Sequence, residues 1–86
     1  MHEMSVAMEV CRIVEAQVGA AALPRVREVG LIVGHQSGVE PDNLRFCLDA
    51  ILSARPFRAA RSVFELTAGD DLSVHYLEID DDDPTH

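Results

Sequence analysis

Residues 26–51 decide the fold, and they read VREVGLIVGHQSGVEPDNLRFCLDAI. In the first eight of these residues Val29, Leu31 and Val33 alternate with the residues of the other face, a period of two that is typical of a β-strand. Both faces of this segment turn apolar toward its end. A strand that is covered on both faces lies inside a sheet, so we predict that residues 26–33 form its central strand.

A short loop and a second helix follow this strand. Gly34 and Gly38 bound the loop, and Pro41 is favoured at the first position of a helix. Asp42 then stands where the helix dipole favours a negative charge. We predict that the helix ends near Ser53. Its apolar residues form one stripe: Leu44, Cys47, Leu48 and Ile51.

Another amphipathic helix precedes the central strand, from about residue 2 to residue 18. Apolar residues recur in it at intervals of three and four, which is the helical period. Gly19 is a suitable stop, and Pro24 cannot continue the helix. The interval places Met4 and Met8 on the packing face, so we predict that both fill gaps in the core.

Two further strands, residues 60–67 and 72–79, complete the chain's regular structure. The turn between them, residues 68–71, is short, so we predict that they pair as an antiparallel hairpin. In the last strand the alternation places Leu72, Val74 and Tyr76 on one face and Leu77 and Ile79 on the other. This change of phase predicts a bulge or a covered edge.

The predicted fold is α+β, in the order α-β-α-β-β, with two helices packed on one face of a three-stranded mixed sheet. The strand–helix–strand unit of residues 26–66 would be a parallel crossover. We expect one domain over residues 1–79 and an acidic, disordered tail over residues 80–86. The second face of the sheet is left open, so we predict a homodimer, with exchange of the final strand as one route to it.

Size and charge exclude several classes of function. The chain has 86 residues, which suffice for one small domain. Its 15 acidic residues against 7 basic ones, a net charge of -8, argue against nucleic acid as a partner. No apolar run approaches the roughly 20 residues of a membrane span, and the start lacks the pattern of a signal peptide. We therefore predict a cytoplasmic protein with no membrane partner.

The residue types give no catalytic pattern. No serine has a recognisable base and orienting group, and no glycine-rich phosphate loop is present. Cys11 and Cys47 lie on the apolar stripes of their helices, and they do not form a C-x-x-C motif. We therefore predict that both cysteines pack in the core and that the protein is not an enzyme.

Nitrogen donors for a divalent metal are concentrated in the first three residues. The amine of Met1, the amide and imidazole of His2 and the amide of Glu3 form a compact set that suits Ni(II) or Cu(II). A fourth ligand would be the Glu3 amide, the Glu3 carboxylate or a histidine from elsewhere. Residue types alone favour another interpretation of His2, as an ordinary polar residue at a frayed helix start. The remaining histidines are individually weaker candidates: His35, His75 and His86.

Three segments carry a resemblance to a known family. They are MHEMSVAMEVCRIVEAQ, VREVGLIVGHQSGVEPDNLRFCLDAI and AGDDLSVHYLEI. Together they resemble the HypA/HybF family of hydrogenase and urease nickel-insertion accessory proteins. The resemblance implies a metallochaperone for [NiFe]-hydrogenase maturation that holds Ni(II) at Met1, His2 and Glu3. It also implies a maturation GTPase or the hydrogenase large subunit as partner.

The sequence departs from this family between its second and third strands. There the family carries a zinc ribbon with paired C-x-x-C motifs, whereas Ala68 and Gly69 join the strands directly here. No zinc is therefore expected. A second hypothesis follows from this departure, that the protein is a metal-free adaptor or shortened paralogue that acts through protein–protein contacts alone.

Overall fold

The computed structural model describes residues 2–80, so the predictions of a nickel ligand at Met1, a histidine ligand at His86 and a disordered tail beyond Asp80 lie outside the described residues. The observed ends of the helices and strands lie within one or two residues of the predicted ends. A 3₁₀ helix, Ala20–Arg25, was not predicted. The helices and strands are α1 (Glu3–Val18), β1 (Val26–Gly34), α2 (Pro41–Leu52), β2 (Arg61–Thr67) and β3 (Leu72–Ile79).

The sheet has the strand order β2-β1-β3, so β1 is the central strand, as its sequence predicts. β1 is parallel to β2 and antiparallel to β3. The predicted α+β fold with a mixed sheet is thereby confirmed, including the parallel strand–helix–strand unit. Neither α1 nor α2 combines the length and the hydropathy that a bilayer crossing requires.

The predicted hairpin of β2 with β3 is wrong, because these strands lie on opposite sides of β1. The gap between them is two strand spacings, roughly 10 Å, which four residues can span. The connection crosses the end of β1 and bonds to it there. Gly34 N–H donates to the Asp71 carbonyl at 2.6 Å, and Gln36 N–H donates to the Gly69 carbonyl at 2.9 Å.

Gly34 is where this crossing comes nearest to β1. A Cβ atom added there would stand 2.8 Å from the Asp71 nitrogen and closer still to the Gly69 carbonyl oxygen. These are backbone atoms, which cannot rotate away as a side chain would. The short connection therefore depends on the absence of a side chain at residue 34.

One aliphatic core lies between the helices and one face of the sheet. The central strand contributes alternate residues to it, which is the pattern its sequence predicts. Free energy from removing this apolar surface from water is the main force that holds the layers together. The core residues with no exposed surface in the described part of the chain are Ala7, Val14, Val29, Val33, Leu44, Leu48 and Leu52.

A β-bulge at His75 changes which residues of β3 face the core. Gly30 is opposite Tyr76 and Leu31 is opposite Val74, so His75 is the extra residue. The predicted bulge is present, but Tyr76 does not share the face of Leu72 and Val74. Leu77 packs against the core in its place, because one inserted residue reverses the alternation beyond it.

The open face of the sheet carries a polar network centred on Glu28. Tyr76 lies over Gly30 of β1, where any side chain would collide with its ring, and its hydroxyl donates to the Glu28 carboxylate. Arg61 of β2 donates to the other carboxylate oxygen at 2.6 Å. These contacts lower the pKa of Glu28, the Tyr76 hydrogen bond most, and connect all three strands.

Candidate functional site

His2 precedes α1 as its N-cap residue and has an extended backbone, with φ -81 and ψ 117. Its carbonyl accepts the first helical hydrogen bond, from Val6 N–H at 3.1 Å. Its side chain is exposed and, in the described part of the chain, does not cap the helix. The imidazole therefore has no role in holding the helix start, so it could coordinate a metal without disturbing the fold.

The first backbone amides of α1 are also available for chemistry. A helix leaves its first four N–H groups without an intrahelical partner, and the Glu3 amide is one of these. Deprotonating the amide for a metal would therefore break no bond of the helix.

Of the His2 and Glu3 side chains, only the Glu3 carboxylate makes a tertiary hydrogen bond with the described residues. Its Oε2 accepts a hydrogen bond from the Glu40 backbone N–H at 3.1 Å. This contact is the largest cause that lowers the pKa of Glu3, so the group stays ionised. The contact joins the start of α1 to the residue before α2.

Glu40 holds the start of α2. Its Oε2 accepts a hydrogen bond from Asn43 N–H at 2.7 Å, which is an N-cap contact, and Pro41 follows as the first helical residue. Glu40 is thus the N-cap residue of α2. Sequence reasoning missed that Glu3 reaches the same residue, because no local pattern relates positions 37 residues apart.

The other histidines lie in separate environments. His35 is exposed in the turn after β1, where its backbone N–H donates to the Thr67 carbonyl at 2.8 Å. His75 is in the bulge of β3, with Nδ1 3.8 Å from a carboxylate oxygen of Glu65. Within residues 2–80, no three side chains of His, Cys, Asp or Glu gather as a metal site.

The two cysteines are half-buried against the core, in agreement with the predicted packing role. Desolvation raises the pKa of the Cys11 thiol, so it stays protonated. The thiolate is the form that binds metals, so Cys11 is a poor ligand where it stands.

An apolar groove of about 860 Å³ lies along α1, between this helix and the segment after α2. Met4 and Met8 are 44% and 62% exposed, so the prediction that both fill the core is wrong. The apolar stripe of α1 is wider than the surface that the rest of the domain covers, and its outer edge lines the groove. Other lining residues are Cys11, Leu23, Ile51 and Phe57.

Comparison with known proteins gives a consistent result. A family model described as hydrogenase/urease nickel incorporation, metallochaperone, hypA matches residues 1–70, so the match ends within the connection between β2 and β3. Three relatives from different organisms are each called hydrogenase maturation factor HypA. One from Chlorobaculum parvum is 40% identical over 65 residues, which make up 76% of this chain and 58% of that protein.

Two other relatives show the same partial coverage. A Geobacter protein is 39% identical over 69 residues, 80% of this chain and 60% of its own. A Chlorobium limicola protein is 42% identical over 50 residues, 58% of this chain and 43% of its own. The chain thus spans about half the length of the curated relatives that it matches.

Proposed function

The chain belongs to the HypA family of hydrogenase/urease nickel-incorporation metallochaperones, and from that premise we propose that it binds Ni(II) through Met1, His2 and Glu3. The observation that carries this proposal is the exposed His2 imidazole at the N-cap of α1, next to helix amides that have no intrahelical partner. It follows that nickel binding would leave the helix intact.

The ligand set would be the Met1 amine, the His2 amide and the His2 imidazole, with one donor more. Such tetragonal nitrogen coordination suits Ni(II), although Cu(II) would bind the same set more tightly. We favour the Glu3 amide as the fourth donor, because Oε2 of the Glu3 carboxylate is engaged by the Glu40 N–H. The carboxylate would then hold the site in place rather than bind the metal.

We further propose that the protein passes its nickel to a partner in [NiFe]-hydrogenase maturation, either a maturation GTPase or the hydrogenase large subunit. The α1 groove is the candidate docking surface, because it is apolar and begins at Met4, two residues from His2. A partner bound in this groove would have its own metal site close to the Ni(II) held by His2. Large apolar patches of this kind commonly mark protein–protein interfaces. The compartment we propose is the cytoplasm.

Nickel titration of untagged protein tests the metal site. We expect one Ni(II) per chain for the wild type and for His35→Ala, which removes a histidine from the loop after β1. We expect no specific binding for His2→Ala or for protein with an acetylated amine. Visible absorbance would report planar nitrogen coordination in the wild type only. Equal binding by wild type and His2→Ala would refute the site.

The alternative is a metal-free adaptor, and the direct connection of β2 to β3 favours it, since that is where the family carries its zinc ribbon. Pull-down of the maturation partner with His2→Ala separates the two functions. Partner binding and hydrogenase maturation that persist undiminished in this variant would favour the adaptor.

We also propose that the protein forms a homodimer through the open face of the sheet and that it binds no zinc. Sedimentation of a monomer at high concentration would contradict that proposal.

A further inference from the structure

Arginines are clustered at one end of the sheet. Four of the chain's seven basic residues line a single pocket of about 370 Å³. The chain has no lysine, and its net charge is -8, so this concentration of positive charge is unlike the rest of the molecule. The four residues are Arg25, Arg27, Arg58 and Arg61.

The fold brings these residues together from two segments. Arg25 ends the 3₁₀ helix just before β1 and Arg27 lies in β1, whereas Arg58 precedes β2 and Arg61 is its first residue. The parallel register, with Glu28 opposite Arg61, sets the starts of the two strands side by side. Between Arg58 and Arg61, Ala59 has φ 61, a left-handed conformation that costs an alanine free energy and that clusters at ligand sites.

The contacts within the protein use only part of the donor capacity of these arginines. Arg25 donates to the Asp80 carbonyl at 2.9 Å, and Arg27 donates to the Asp80 carboxylate at 3.2 Å. Arg61 is bonded to Glu28 at 2.6 Å. A guanidinium has five N–H donors, so most remain for a ligand. Arg58 makes no hydrogen bond or ion pair with the described residues.

Among residues 2–80, the charge of this pocket stays positive after its neighbouring acids are counted. Glu28 and Asp80 are bonded to the cluster, and Glu78 acts on Arg61 through its charge. Four guanidinium groups against three carboxylates leave an excess of one positive charge. The pocket also contains no aromatic side chain on which a base could stack, its other lining residues being Pro24, Val26 and Ala59.

We propose that this pocket is an anion site for a compact phosphate compound, with pyrophosphate as the best match. Guanidinium groups bind phosphate oxygens through paired, charge-assisted hydrogen bonds, and several together favour a ligand with several negative charges. The absence of a stacking surface indicates that phosphates alone are recognised, whether free or at the end of a nucleotide. The site is separate from the terminal nickel ligands and does not depend on them.

Calorimetric titration of metal-free full chain with pyrophosphate tests the proposal. We expect saturable binding that Arg58→Gln weakens about tenfold or more, as loss of a hydrogen bond to a charged group does. The matched control is Arg55→Gln, which removes the same charge three residues earlier and outside the pocket. We expect it to change affinity by less than about twofold, since exposed charges are screened. Equal losses in both variants, or no saturable binding by the wild type, would overturn the proposal.

Four further experiments identify the ligand and its source. Inorganic phosphate should bind more weakly than pyrophosphate, and a nucleoside triphosphate no more tightly than inorganic triphosphate. A nucleoside triphosphate that binds much more tightly than inorganic triphosphate would contradict the recognition of phosphates alone. Citrate that binds as tightly as pyrophosphate, with the same dependence on Arg58, would make this a carboxylate site instead. Binding seen only after residues 81–86 are removed would show that the chain's own aspartates fill the pocket, which also overturns the proposal.

Discussion

The Glu3 carboxylate accepts a hydrogen bond from the backbone N–H of Glu40, with 3.1 Å between oxygen and nitrogen. The same Glu40 caps α2 through its own carboxylate. The residue after His2 is thus attached to the start of the second helix. If nickel binds at the terminus, this attachment makes the domain, and not the terminal peptide alone, responsible for the geometry of the site.

Removing the Glu3 carboxylate, which accepts the hydrogen bond from Glu40 N–H, should therefore weaken nickel binding. We expect Glu3→Ala to lower nickel affinity about tenfold, which is typical when a group that orients a metal ligand is lost. Glu3→Gln is the matched variant, because its amide oxygen can still accept from Glu40 N–H. If Glu3→Gln binds nickel with an affinity close to that of the wild type, the result supports an anchoring role for the hydrogen bond between Glu3 and Glu40. Equal losses in Ala and Gln would indicate that the carboxylate binds the metal directly.

Nickel affinity should rise with pH. The proposed ligands must lose protons before they bind, and the terminal amine has a pKa of about 7.7 to 8.0. Between pH 6.5 and 7.5 the affinity should increase by about tenfold for each proton released. Titrations at the two pH values measure this, with His35→Ala expected to follow the wild type. A pH-independent affinity would contradict coordination through the amine and amides.

Gly34→Ala should destabilise the fold, because the new methyl group meets the backbone of the connection between β2 and β3. We expect a loss of roughly 1 to 3 kcal/mol, as for other overpacked sites. The control is Gly69→Ala in that same connection, where an added Cβ has no neighbour within 4 Å. It should stay within about 0.5 kcal/mol of wild type. Urea unfolding of both variants measures the difference. Similar midpoints would contradict the close approach of the β2–β3 connection to Gly34.

Tyr76→Phe should destabilise the protein at neutral pH more than in acid. The Tyr76 hydroxyl is the largest cause that lowers the pKa of Glu28, followed by Arg61. A lowered folded-state pKa gives stability that is complete above the ordinary value of about 4.3 and is lost as pH falls through the folded-state value. Unfolding midpoints at pH 7 and pH 3 should therefore differ more for wild type than for the variant. An equal pH dependence would argue against this network.

Met8→Glu should impair partner binding without impairing the fold. Met8 is 62% exposed in the α1 groove, so a charge there costs the monomer little but must be desolvated in an apolar interface. We expect about tenfold weaker binding of the maturation GTPase, with nickel binding unchanged. The control is Phe46→Glu on α2, where Phe46 is 76% exposed and outside the groove. Loss of binding in the control alone would place the interface on α2.

The sequence by itself determined the elements and their order. Helical and strand periods, the Pro41 helix start and the Gly19 stop depend on residues close together in the chain, so they can be read locally. The same holds for the apolar residues on both faces of β1, which predict that it is the central strand, and for the long ordered patterns that identify the family.

Only the tertiary structure decided that β2 and β3 are not neighbours. A short connection predicts a hairpin, but Asp71 and Gly69 bond to the end of β1, and that competing set of hydrogen bonds places β2 and β3 on opposite sides of it. The bulge at His75 likewise turned Tyr76 toward Glu28. The hydrogen bond of Glu3 to Glu40 and the arginine pocket join residues that are distant in sequence. Such contacts depend on how the layers pack, and no local pattern contains that information.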